Sequence, residues 1–265
     1  MPTEDHWKQF HERRNRLRLP QRPDQAVVDR FADLVCDHDA RVLMLGLTPE
    51  LATIGHDLTI ADWNDEALHR PVPRASERTS LVRIDWREMV FPPHAFTAVI
   101  GDGGMTMVPS AADYRQIFAR LADCMVPGAP VVVRCFVSPD DPEPLSAIRD
   151  AVMSGQEPSF HALKWRVAMA AAAPAGVIPV RAIAAAFDEC FPDRTDLCAQ
   201  TGWPPHLVAE IDNYRISDAV YTFFNRAALF ATLPATFANP RLVASGDYPL
   251  SHCCPFLVAE RATDA

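Results

Sequence analysis

An α/β sandwich on a largely parallel sheet is predicted by three features of the 265-residue sequence. Short, mostly apolar runs recur at 41–45, 58–61, 80–84, 96–100 and 129–135, each of strand length and apolar enough to be covered on both faces. Amphipathic stretches of helical spacing accompany them, as at 24–36 and 112–125. The first four runs end at Gly46, Asp62, Asp85 and Asp102, which gathers turn-forming and acidic residues at one edge of such a sheet.

In chain order, 5–17 reads as a helix with Trp7, Phe10 and Arg14 on one side and Leu17 extending the stripe. Pro20 and Pro23 interrupt it, and 24–36 is a second helix with Val27, Val28, Phe31 and Val35 inward. After strand 41–45 and Gly46 come a brief helix at 50–54 and strand 58–61, which ends in Asp62-Trp63. A short helix is expected at 65–70, and 75–79 is a polar approach to strand 80–84, which ends in Asp85-Trp86. Pro92-Pro93-His94 is a rigid turn before strand 96–100, itself followed by Gly101-Asp102-Gly103-Gly104. A helix over 112–125, the turn Val126-Pro127-Gly128 and a fifth strand at 129–135 come next.

Beyond Phe136 the pattern changes. Helices are expected at 145–153, 160–172 and 178–191, then a segment at 206–214 after Pro204-Pro205, and a helix over 226–233 after 219–224. Roughly 100 residues between the fifth strand and the last apolar runs (241–245 and 254–260) are too many for a plain crossover, and predict a helical cap inserted before the last two strands.

Net charge is -9, which argues against sequence-independent binding of nucleic-acid phosphates. The arginines between 13 and 22 read as a solvated helix face or as a contact for an anion. Seven scattered cysteines without a Cys-x-x-Cys pair suit a reducing cytoplasm and give no metal-site spacing. His252 beside Cys253 and Cys254 lacks a third ligand, so no metal is expected. No apolar stretch of signal or membrane length follows the charged N-terminus, and 167–183 is broken by Pro174, Gly176, Pro179 and Arg181; a soluble, cytoplasmic protein without membrane contact is expected.

The stretch 41–62 carries the first chemical hint. A strand, a glycine turn, a crossover and a second strand tipped by Asp62 form a Rossmann-like unit that can hold an adenosine ribose, the carboxylate accepting from the two hydroxyls. An ordinary βαβ unit with a surface aspartate reads equally well from that stretch alone.

Taken together, 41–136 and, more weakly, the C-terminus resemble the class I S-adenosylmethionine-dependent methyltransferases. The resemblance implies a seven-stranded sheet in the order 3-2-1-4-5-7-6, closed by an antiparallel pair. It implies S-adenosylmethionine as cofactor, with Gly46 and Thr48 at its methionine part, Asp62 and neighbouring Trp63 at its ribose, Asp85 at the adenine amino group and Trp86 flanking the ring. Pro127-Gly128-Ala129 stands where relatives commonly have Pro-Gly-Gly. The loop Gly46-Leu47-Thr48-Pro49-Glu50 departs from the family in its single glycine, leaving the Thr48 hydroxyl to replace a backbone contact. The expected units are an N-terminal helical lid (1–40), a cofactor-binding core (41–137), a cap forming the acceptor region (138–237) and a closing strand pair (238–265).

Asp102 is the sharpest candidate for chemistry, as a contact to cofactor or substrate, as a general base, or as a plain turn-former. Met105-Thr106-Met107 either borders the sulfonium or fills core space. Arg134 interrupts an apolar strand and needs a partner, either an acidic ligand or an internal carboxylate. Trp165, between Lys164 and Arg166, reads as a planar-anion site or as a core anchor of the cap. Tyr214 is the leading acceptor-site and catalytic candidate, with Tyr221 seven residues on; their faces also suit a sulfonium. Trp7 and Phe10 close the pocket from the N-terminal side or merely plug the core.

The activity expected is methyl transfer to a small-molecule acceptor by a monomer or homodimer. Two alternatives stand beside it: cyclisation of the cofactor to azetidine-2-carboxylate with release of methylthioadenosine, and a non-catalytic binding module. A nicotinamide-dependent oxidoreductase is disfavoured because Gly-x-Gly-x-x-Gly is missing. A Ser-based hydrolase is disfavoured for want of a Gly-x-Ser-x-Gly elbow.

Overall fold

Strand β1 (Arg41–Leu45) is buried from Val42 to Leu45. Strand geometry sends Val42 and Met44 to one face of the sheet and Leu43 and Leu45 to the other, so each face needs its own apolar cover. The computed structural model, which describes residues 17–37, 39–64 and 78–263, supplies that cover from both sides. The expected first helix falls at 5–17 and the expected short helix at 65–70; apart from Leu17, both lie outside the described residues, as do Trp7 and Phe10.

Parallel to β1 run β2 (Asp57–Asp62), β3 (Arg78–Arg83), β4 (Ala98–Asp102) and β5 (Pro130–Arg134). With β8 (Phe237–Val243) and β9 (Phe256–Arg261), the described residues form one sheet in the order β3-β2-β1-β4-β5-β9-β8. Strand β9 is antiparallel to both β5 and β8. Counting only the strands of this sheet, the order is the 3-2-1-4-5-7-6 expected from the sequence.

Helix α1 (Gln25–Val35) covers one face. Its N-cap Asp24 accepts from the Val27 amide, and its buried stripe of Val27, Val28, Phe31 and Val35 meets Met44, Ile60 and Phe256. Phe31 packs edge-on against Phe256 with centroids 4.6 Å apart. On the other face lies α2 (Ala111–Cys124), capped by Ser110, with Tyr114, Ile117, Phe118 and Leu121 inward.

The cap comprises α3 (Leu145–Met153), α4 (Phe160–Ala172), β6 (Val177–Pro179), α5 (Val180–Cys190), α6 (Arg194–Thr201), α7 (Pro205–Val208), a 3-10 turn (Ala209–Tyr214) and β7 (Val220–Thr222), followed by α8 (Arg226–Phe230). Helix α4 is apolar nearly all round because α3, α5 and the β6–β7 pair enclose it in a separate cluster. The sequence predicts one helix over 178–191, and the structure divides it. Gly176 turns the chain at φ 68°, residues 177–179 pair antiparallel with β7, and the helix begins only after Pro179. Strand pairing there outweighs the helical periodicity. No described helix is long and apolar enough to cross a membrane.

Phe31→Ala is expected to destabilise the protein by about 3–5 kcal/mol, the usual cost of emptying a fully buried aromatic site. The denaturant midpoint should fall accordingly in urea unfolding, with the slope unchanged.

Candidate functional site

The carboxyl ends of β1, β2 and β4 and the segment after β3 open on one cleft, with the cap on its far side. Gly46, Thr48, Asp62 and Trp63 line it from the first βαβ unit; Asp85, Trp86, Asp102, Gly103 and Gly104 line it from the next two strand ends. This is where an open α/β sheet gathers ligands, because strand ends splay apart and leave backbone polar groups uncovered.

Asp62 is fixed as the last residue of β2. Its Oδ2 accepts from the Leu47 amide at 3.0 Å and its Oδ1 from the Asn64 amide at 2.9 Å. Burial raises its pKa, against the lowering effect of backbone amides at Asn64, Leu47 and Trp63. With those amides counted, the carboxylate keeps acceptor capacity for a ligand hydroxyl. Gly46 adopts φ 79°, a left-handed conformation, and a β-carbon there would lie 3.9 Å from Asp62 Oδ2.

Trp86 lies across this floor. Its Nε1 donates to the Ala61 carbonyl at 2.8 Å, while its benzo edge would stand 3.4 Å from a β-carbon on Gly46 and 2.9 Å from one on Gly104. The indole therefore spans the tips of β2, β1 and β4; at Gly104 it leaves no room for a β-carbon, while at Gly46 it is the positive φ that favours glycine. The amides beneath are already engaged: Gly46 N–H donates to Ala61 O at 2.9 Å, and Thr48 N–H reaches Met44 Sδ at 3.5 Å.

Asp85 is clasped by Arg87, with Nη2 to Oδ2 at 2.5 Å and Nε to Oδ1 at 3.0 Å. The Arg87 hydrogen bonds hold its carboxyl below the usual range. Asp102 is gripped by Arg134, which donates from Nε to Oδ1 at 2.5 Å and from Nη2 to Oδ2 at 3.1 Å. Both side chains are under 5% exposed (4% and 3%). Arg134 also donates to the Tyr248 hydroxyl at 3.0 Å. Burial alone would make its guanidinium easier to deprotonate; the Asp102 carboxylate reverses that and raises its pKa. Of the alternatives open for Arg134, the internal ion pair is the one the structure contains.

The cap contributes an aromatic wall. Trp165 stacks on Phe136 with centroids 3.8 Å apart and planes at 14°, and on Tyr221 at 5.2 Å and 23°. All three reach the cleft. Tyr214 does not line it. The 3-10 turn sets its ring behind Tyr221, edge-on at 6.2 Å, with Lys164 Nζ 5.8 Å from its centroid. Burial pushes its hydroxyl well above the ordinary tyrosine range, which unsuits it as a base. Lys164 itself pairs with Glu210 at 3.6 Å, and Arg166 with Glu143 and Glu157, so neither flanking cation faces a ligand beside Trp165. Met105 packs in the core, where its carbonyl accepts from Tyr114 at 2.6 Å; Met107, two residues on, takes the lining position.

The lining residues that the sequence reading did not single out include Gln21, Arg87 and Phe136. Phe136 was detectable, since it lies just past the end of β5, on the ligand-bearing edge. Gln21 carries no such signal. Its Oε1 meets His161 Nδ1 at 3.0 Å. No group of three or more His, Cys, Asp or Glu side chains able to hold a metal ion occurs among the described residues.

No family model matches the sequence, and no curated protein matches it. Solved structures do. A Rhodobacter sphaeroides protein, provisionally named as a zinc-dependent alcohol dehydrogenase, superposes with TM-score 0.60 at 13% identity, covering 98% of both chains. An S-adenosylmethionine-dependent methyltransferase from Methanosarcina mazei gives TM-score 0.51 at 14% identity over 88% of this chain and 98% of its own. The methyltransferase SibL gives TM-score 0.50 at 14% identity, over 89% of this chain and 53% of its own. The fold is thus the Rossmann-like sandwich of class I methyltransferases.

Two outcomes are expected here. Arg134→Met should cost about 3–5 kcal/mol by stranding a buried carboxylate, and adding Asp102→Leu should restore most of that in urea unfolding. His161, pressed down to a pKa of about 3 by burial and by nearby Lys164 and Arg18, is neutral when folded. Its folded pKa lies below its unfolded one, so its contribution is present above pH ~6.5 and is lost as pH falls toward 3. Between pH 6.5 and 5 the urea midpoint should drop in the natural protein and drop less in His161→Asn.

Proposed function

We propose that the chain binds S-adenosylmethionine across the carboxyl edge of its sheet and passes the methyl group to a small-molecule acceptor held between that edge and the cap. The observation that carries this reading is Asp62 at the tip of β2 facing Gly46 at the tip of β1, within a sheet of the methyltransferase order.

The residues fit the adenosine half of the cofactor. Asp62 retains lone pairs for the ribose hydroxyls and Asp85 for the adenine amino group, with Trp86 and Trp63 offering apolar surface beside them. When bound, the sulfonium supplies an already strong methyl electrophile. What the chain must add is alignment and exclusion of water. The Phe136–Trp165–Tyr221 wall serves the second task. Asp102, held at both oxygens by Arg134, receives a ligand ammonium on its remaining lone pairs.

A second reading rests on one feature. Trp86 fills the gap between Gly46 and Gly104, and the amides beneath are spoken for, which favours a module that binds a nucleotide without turning it over. Hydride transfer, suggested by the name of the Rhodobacter protein, finds less support: β1 leads into Gly46-Leu47-Thr48-Pro49-Glu50, and the sheet closes with an antiparallel pair.

Purified protein incubated with methyl-labelled S-adenosylmethionine and a metabolite extract should move label to a new compound, followed by mass spectrometry. Label staying on bound cofactor would favour the module, and label leaving as methylthioadenosine would mark cleavage of the cofactor instead. By calorimetry with S-adenosylhomocysteine, Asp62→Ala should abolish binding; unchanged affinity would remove the ribose assignment.

A further inference from the structure

The wall opposite the glycine turns has a chemical bias of its own. Trp165 comes from α4, Tyr221 from β7 and Phe136 from the end of β5, and the stacking covers both faces of the indole. What Trp165 presents to the cleft is therefore its rim. Ring rims carry the positive end of the aromatic quadrupole, so they attract oxygen lone pairs and the faces of other rings and repel cations.

The indole also holds an unspent donor. Trp165 Nε1 is buried and has no hydrogen-bond partner among the described residues, although the residue is 6% exposed and lines the cleft. A buried N–H left without an acceptor costs about 1–3 kcal/mol, a cost that a bound acceptor atom removes. Full anions are not matched here. The guanidinium of Arg87 is held by Asp85 and Asp113, and that of Arg134 by Asp102, while Asp62 adds another carboxylate to the same cleft.

We propose that this wall is the acceptor subsite, and that it selects a neutral, planar aromatic molecule bearing an oxygen, with the ring against the Phe136–Trp165–Tyr221 stack and the oxygen accepting from Trp165 Nε1. A phenol has this form, and its oxygen is also a nucleophile for a methyl group. Met107 adds a polarizable thioether to the same cleft. Reaching Nε1 takes side-chain adjustment of the kind that commonly accompanies binding. The assignment of the bound molecule as methyl acceptor rests on the methyltransferase reading; the subsite does not.

The test measures binding of naphthol and of its saturated analogue decahydronaphthol by calorimetry, with and without saturating S-adenosylhomocysteine. Naphthol should bind at least about tenfold more tightly than the saturated alcohol. Trp165→Phe, which keeps a ring and deletes the N–H, should lose about tenfold of the naphthol affinity, the worth of one hydrogen bond. The same variant should keep its affinity for S-adenosylhomocysteine. Equal affinity for the two alcohols, no binding of naphthol, or naphthol binding untouched by Trp165→Phe would each overturn the proposal. Failure of S-adenosylhomocysteine to bind would count against the cofactor reading alone, since the naphthol comparison stands without it.

Discussion

The buried pairing of Asp102 with Arg134 is the constraint on which the rest of the architecture depends. The two residues are partners in the β4–β5 register, and the Gly103 amide donates to the Arg134 carbonyl at 2.9 Å just where the glycine turn begins. Through Tyr248, itself hydrogen-bonded to Ser245 at 2.5 Å, the same guanidinium holds the loop between β8 and β9. One ion pair thereby sets the height of the ligand-bearing edge, the path of the Gly103-Gly104 turn and the seating of the closing strands. Charges so deeply enclosed are tolerated because each answers the other through two hydrogen bonds and the Tyr248 hydroxyl takes a third from the guanidinium.

The sheet was legible because its signals are local and repeated. Five apolar runs, the first four with acidic or glycine ends, prescribe parallel strands, and the family resemblance supplies the antiparallel closure that β9 adopts between β5 and β8. Strand limits shifted by one to four residues, as at β8, where the expected 241–245 became Phe237–Val243. In the cap, helical spacing at 160–172 gave the α4 bounds, while 178–191 concealed a strand and the helix at Arg194–Thr201 went unseen. Short elements there owe their form to partners far along the chain, which a local pattern does not contain.

Site residues divide along the same line. Gly46, Thr48, Asp62, Trp63, Asp85, Trp86 and Asp102 lie on the cleft because strand ends dictate their place. Tyr214 and Met105 fell one layer short, since the phase of a 3-10 turn decides which residue faces out, and composition gives no hint of that phase. The single-glycine loop has a physical counterpart. With the Leu47 amide given to Asp62 and the Trp86 indole resting on Gly46, the turn is satisfied from within, and additional glycines would bring no further contact.

The three-ring stack also joins the two halves of the chamber. It joins the end of β5 to α4 and β7, tying the cap to the sheet with ring centroids as close as 3.8 Å. Among the described residues, the segment holding Leu17, Gln21 and Pro23 also borders the cleft. A guest lying against the three rings thus shares its chamber with the segment that leads into α1.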